Sequence, residues 1–199
     1  LNEINFTKNL IKILISKSLN INSREFYWFS SGLELFYLEK YVENFYDNLS
    51  LVGELSNFFL IKKHNLSLMK FNDQFRLGYK FISGRNLNQM ISLPSNNLTR
   101  INYRLGNPSK SLSSLKLLNS YVGRDNFMKS LYKMFSSNKI INNNKEIKTY
   151  FETNSSLSLD WFFDSYIYFN KQIDFKVENK KSLISIRNKK LKNFPFPVP

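Results

Sequence analysis

Lys8 and Lys12 stand four residues apart in Lys8-Asn9-Leu10-Ile11-Lys12, a spacing that sets two side chains on one face of a helix. A lysine amine titrates near about 10.4, so both are cations at neutral pH. They could pair with carboxylates such as Glu34 or Glu39, but desolvating two like charges together is costly, so they are expected to turn to solvent. They cannot ligate zinc, which needs lone-pair donors from nitrogen, thiolate or carboxylate at about 2.0–2.3 Å. Asn9 between them cannot take a proton from water as a carboxylate can. The chain has one histidine, His64, and no cysteine, so a conventional two-histidine zinc site and all thiol and disulfide chemistry are excluded by count. His64 sits in Lys62-Lys63-His64-Asn65 and reads as a surface residue. Glu39 and Glu43 share a helical spacing but flank Lys40 on a face that reads as solvated, so they are expected to be a surface pair. Lys180, Lys181, Arg187, Lys189, Lys190 and Lys192 form the densest basic patch, without the context of a recognition motif. No phosphate-binding glycine loop and no Ser-His-Asp arrangement occurs.

The elements that must carry these residues are mainly helical. Leu10, Ile11, Leu14 and Ile15 recur at helical spacing, and Asn20-Ile21-Asn22-Ser23 ends that helix. A second helix is expected after Ser30 and Ser31, with Leu35, Leu38, Tyr41, Val42 and Phe45 on its buried side and Asp47-Asn48 at its end. The run Phe26-Tyr27-Trp28-Phe29 could stack on nucleic-acid bases but reads better as core. From Leu51 to about Asn107 the pattern is helical, with a stripe at Phe71, Phe75, Tyr79 and Ile82 and a loop at Ser92–Asn97. Gly123 suits a left-handed residue beyond a helix end. Asp125 reads as the N-cap of a helix burying Phe127, Met128, Leu131, Tyr132 and Phe135. Ile147, Tyr150 and Phe151 mark another helix, and Leu159 to Phe163 opens the last. Beyond Asn170 the period falls to two: Ile173, Phe175 and Val177, then Ile184 and Ile186, predict a β-hairpin turning across Glu178-Asn179-Lys180-Lys181.

Composition narrows the functional classes. At 42% hydrophobic and 16% aromatic residues the 199-residue chain falls among globular rather than disordered proteins. Its net charge of +14 raises the prior for nucleic acid or anionic surfaces. The complete lack of alanine and the excess of Asn, Lys, Ile, Phe and Tyr offer a competing cause, drift toward A+T-rich codons. No apolar run is long enough to span a bilayer. No signal peptide is visible, although a missing amino terminus would hide one, and the start at Leu1 with a Pro-rich end reads as a fragment or a split product.

Arg24 to Leu33, followed by Phe36-Tyr37, Lys40-Tyr41 and Phe45-Tyr46, resembles the glutamate helix of the alanyl aminopeptidase family of gluzincin zinc metallopeptidases. In that family a Trp-x-x-Glu-Gly element supplies the third zinc ligand, at a fixed distance from a His-Glu-x-x-His helix. Eighteen residues separate Lys12 from Ser31, the family's own interval. The resemblance therefore sets Lys8 and Lys12 at the two histidine positions, Asn9 at the general base and Ser31 at the third ligand. Asn102 to Lys110, followed by Leu117-Leu118 and Tyr121-Val122-Gly123, resembles the family's Tyr-x-Lys segment and Tyr-Leu-Gly helix end, with Pro108 in place of the oxyanion-stabilising tyrosine. Leu159 to Asp164, Ile173-Asp174-Phe175 and Arg187-Asn188-Lys189 resemble the closing helix and the first strands of its carboxy-terminal β domain.

The fold so implied is mainly α: a remnant of a thermolysin-like helical lobe over 1–50, a continuous helical region over 51–170, and a β-hairpin opening a truncated β domain over 171–199. The implied function is that of a catalytically inactive relative of zinc-dependent aminopeptidases with a structural or protein-binding role. No cofactor is expected, where active members carry zinc. The partner would be another protein or the missing part of a split peptidase. The charge suggests an alternative, a basic RNA- or ribosome-associated binding module.

Overall fold

The stretch Asn2–Ser18 contains neither glycine nor proline and forms helix α1; the computed structural model to which it belongs describes residues 2–46, 49–51, 69–168, 175–180 and 183–188. Further helices are α2 (Tyr27–Phe45), α3 (Asp73–Gly84), α4 (Asn107–Val122), α5 (Arg124–Phe135), α6 (Asn144–Ser155) and the short α7 (Asp160–Phe162). A π-helical turn at Asn102–Gly106 leads into α4, and another at Phe163–Ile167 continues α7. The described chain is thus mainly helical. Strands β1 (Phe175–Lys180) and β2 (Leu183–Asn188) pair antiparallel, with Val177 opposite Ile186. Glu178, Asn179 and Lys180, read from sequence as turn, belong to this ladder, opposite Ser185, Ile184 and Leu183. Among the described residues no helix is long and apolar enough to cross a membrane.

One apolar core runs from Ile4 to Ile167, with α2 at its centre, packed on α1 and α4. Burial reaches almost round α2: Trp28, Phe29, Leu33, Leu35, Phe36, Leu38 and Val42 are all in the core. The aromatic run at its start is therefore core, and the helix begins at Tyr27, before the expected start after Ser30 and Ser31. Phe127 stacks on Phe151 with centroids 5.3 Å apart and meets Phe36 at 5.3 Å. Phe151 also presents an edge to Phe29 at 6.5 Å. Trp28 donates its indole N–H to Asn144 Oδ1 at 3.0 Å, which satisfies the single polar atom of a fully buried ring.

The α2–α4 approach depends on small residues. A Cβ on Gly32 would lie 2.9 Å from Leu115 Cδ1 and 3.0 Å from Ser111 Cβ, too close for ordinary packing. Buried Ser111 and Ser114 continue that narrow face, and the Ser114 hydroxyl donates to the Lys110 carbonyl at 2.9 Å, inside the helix. The irregular stretch before α4 is held by amides: Asn102 Nδ2 donates to the Leu87 carbonyl at 2.8 Å, and Asn107 Nδ2 to the Ile91 carbonyl at 3.0 Å.

Several faces are rotated from their sequence expectation. In α1 the core side is Ile4 and Ile15, with Ile11 packed beside them, while Leu10 and Leu14 are exposed. Phe45 of α2 is exposed as well. In α5 the buried face is Phe127, Ser130, Leu131 and Met134, and both Met128 and Tyr132 face outward. Gly123, at φ +84°, holds the cap position that Asp125 was expected to fill. Asp125 lies instead in the first turn, where its charge favours the positive end of the helix dipole. Asp47-Asn48 and His64 lie outside the described residues.

Candidate functional site

Helix α1, which carries Lys8 and Lys12, packs on α2, which carries Glu34. Both lysines are exposed and Glu34 is half-buried. Burial pushes the Glu34 carboxyl up from its ordinary pKa, and the charges of Lys12 and Lys8 draw it back down. The two ammonium groups thus act on one carboxylate across the helix pair. One turn earlier on α2, Ser31 is buried with its Oγ lacking a hydrogen-bond partner. Four residues before Ser31, Tyr27 stacks on Tyr103 with centroids 4.8 Å apart, and its hydroxyl donates to the Tyr103 carbonyl at 2.9 Å. Burial, then the neighbouring Tyr103 and Glu34, raises the Tyr27 phenol well above its ordinary range, so it stays protonated and donating.

This donor set does not fit zinc. At neutral pH the lysines present positive ends rather than lone pairs, and the serine hydroxyl is a poor substitute for a carboxylate ligand. Among the described residues no three of His, Cys, Asp and Glu come together as a metal-binding group. Asn9 is exposed on α1. Pro108 follows the π-helical turn at Asn102–Gly106 without a break in the helical backbone, and it has no hydroxyl to offer an oxyanion. The arrangement sets a half-buried carboxylate under the charge of two exposed lysines on the neighbouring helix.

Two buried charges escaped the sequence reading. Glu39, expected on a solvated face, is 6% exposed and accepts from Lys116 Nζ at 2.9 Å. The surface pair in this helix is Lys40–Glu43, at 2.7 Å. Glu39 follows Leu35 by four residues and precedes Val42 by three, so it shares their face of α2; a count of helical positions, rather than of polar residues, would have found it. Its Oε2 lacks a hydrogen-bond partner. Replacing Lys116 by Met strands that carboxylate. Because the lysine is half exposed, the expected loss is about 1–2 kcal/mol, below the range for a fully buried pair. Chemical denaturation of Lys116→Met beside Glu39→Gln/Lys116→Met checks this, and a double variant no more stable than the single would contradict it.

The second is Lys110, 6% exposed on the serine-rich face of α4, its amine pushed down to about 8 by burial. Serines count as surface residues in a hydropathy pattern, which hid the face to which Lys110 belongs.

Of the basic patch, Lys180 pairs with Leu183 and Arg187 with Lys176 in the β1–β2 register, while Lys181, Lys189, Lys190 and Lys192 lie outside the described residues. Comparison of the chain with protein-family models, with curated proteins and with solved structures finds no match.

Proposed function

We propose that the chain is a degenerate relative of the alanyl aminopeptidase family that performs no hydrolysis and serves as a protein-binding scaffold. The observation that carries this reading is the pairing of α1 with α2: Lys8 and Lys12 act on Glu34, one turn beyond buried Ser31. Cations stand where the resemblance calls for metal ligands, opposite the turn that would supply the third. On this reading 1–50 is what is left of a thermolysin-like lobe, 51–170 is the helical region continuous with it, and 171–199 is a β-hairpin that opens a truncated β domain. A basic RNA- or ribosome-associated module is the second reading, motivated by the +14 charge; it requires RNA affinity that falls steeply with salt.

The purified chain is expected to retain no zinc by mass spectrometry after dialysis and to leave aminoacyl anilides intact. One zinc per chain, with hydrolysis abolished by chelator, would refute the proposal. Lys8→His/Lys12→His/Ser31→Glu restores the family's donors and is expected to take up one zinc. The double variant Lys8→His/Lys12→His, which leaves the core position untouched and has Glu34 at hand, guards against misfolding of the triple. If both fold and neither binds metal, the resemblance fails even though the native chain is metal-free.

A further inference from the structure

Helix α1 carries two apolar faces, and among the described residues one of them is packed into the core. Opposite the buried face, Phe6, Leu10 and Ile13 recur at steps of four and three residues and are 68%, 44% and 49% exposed. That spacing is the seam by which one helix packs along another. Beside it, Leu14 leads into a cleft of about 680 Å³ between α1, α2 and α5, with Ile11, Phe45, Tyr132 and Phe135 on its walls and Lys40 among its lining residues. Leu14, Phe45 and Tyr132 are 55%, 70% and 71% exposed. A volume of this size lies within the range of about 300–1,000 Å³ typical of binding pockets, and contiguous exposed apolar surface marks interaction sites.

Charge identifies the occupant. Lys17 is exposed along α1 and Lys129 along α5, and Lys40 lines the cleft. Of the acids, Glu43 is paired with Lys40 at 2.7 Å, and Glu3, which accepts from the Tyr41 hydroxyl at 2.9 Å, lies at the end of α1 away from Lys17. A second copy would bring +14 against +14, which disfavours self-association. A bilayer is flat, whereas the cleft is concave and continues a helix-pairing seam.

We propose that the α1 seam and the adjoining cleft dock an acidic amphipathic helix of another protein. This rests on the protein-binding reading above and gives it a partner chemistry. Leucine or aromatic side chains at helical spacing fill the cleft, and carboxylates on the helix flanks meet Lys17 of α1 and Lys129 of α5 and exchange for Glu43 at Lys40.

The test titrates the full chain into fluorescein-labelled synthetic helices of about five turns that share one leucine face, one with glutamates on its flanks and the other with lysines. Fluorescence anisotropy is expected to show micromolar binding of the acidic helix and binding of the basic helix weaker by at least about tenfold. Leu14→Glu and Tyr132→Glu, both at exposed positions, are each expected to weaken the acidic helix by about tenfold or more, with unchanged far-ultraviolet circular dichroism. The proposal is overturned if the two helices bind alike or not at all, or if both variants bind as the native chain does. It is also overturned if sedimentation shows a dimer that Leu14→Glu dissolves, or if phosphatidylserine vesicles occupy the site and displace the acidic helix. Zinc uptake by the native chain would sink the metallopeptidase-remnant reading and leave the titration standing. A flat titration with a zinc-free chain would sink the docking site alone.

Discussion

Phe151→Ala is expected to lower the unfolding free energy by about 3–5 kcal/mol. Phe151 is fully buried and joins three helices: from α6 it stacks on Phe127 of α5 and meets Phe29 of α2 edge-on. Truncation removes the transfer energy of the ring, leaves a cavity among aromatic neighbours that cannot collapse, and forfeits two ring pairs of about 0.5–1.5 kcal/mol each. Set against a total stability of about 5–15 kcal/mol for a domain, the variant should be partly unfolded at physiological temperature. Urea denaturation followed by tryptophan fluorescence reads the loss, since Trp28 lies in the same core. Phe151→Leu should recover more than half of it, because most of the volume returns. Tyr132→Ala, at a position 71% exposed, should stay within about 0.5 kcal/mol of the native chain. A loss below about 1 kcal/mol for Phe151→Ala would mean that α6 does not share the core of α2.

The placement of Phe151 also shows what the sequence could reveal. Ile147 and Phe151 form an i, i+4 pair bounded by Asn143, whose side chain accepts from the Glu146 N–H at 3.0 Å while Glu146 reaches back to it. Periodicity and cap chemistry agree there, so the helix was legible. Gly123 was legible for the same kind of reason, since its positive φ is a conformation that other residues resist. Elements whose orientation is set by neighbours were less so. In α1 the residues at 10, 11, 14 and 15 are all apolar, and only contact with α2 decides that Ile11 and Ile15 turn inward while Leu10 and Leu14 turn out. Asp125 has the chemistry of a cap, but Gly123 two residues earlier already ends one helix and begins the next, which leaves no room for it. At the candidate site, the like charge of Lys8 and Lys12 was readable from spacing alone, whereas their shared action on Glu34 required the packing of two helices. Glu39 was misjudged and Lys110 passed over because a lone charge gives no sign of burial until a facing helix covers it.

Lys110 gives the second large expectation, a dependence on pH. Its amine titrates at about 8 in the fold against 10.5 for an unburied lysine, so the unfolded chain holds the extra proton more tightly between those values. Stability must then rise with pH across that window, because the cost of burying the cation is fully present below about pH 8 and is relieved as the pH approaches 10.5. At 1.36 kcal/mol per unit, the gain from this group is roughly 3 kcal/mol. The phenols of Tyr27 and Tyr166, raised by burial, act in the opposite sense above about pH 10, where the unfolded tyrosines begin to ionise. The diagnostic quantity is therefore the difference between the native chain and Lys110→Met, in which the tyrosine contribution cancels. The variant should show its largest advantage at pH 7 and lose most of it by pH 10. The offset between the two curves also contains whatever contact the amine makes, so the change of that offset with pH carries the information. Equilibrium denaturation at several pH values measures it. An offset that stays constant from pH 7 to pH 10 would place the Lys110 amine in water, and the serine-rich face of α4 would then have to open toward solvent at the point where it approaches α2.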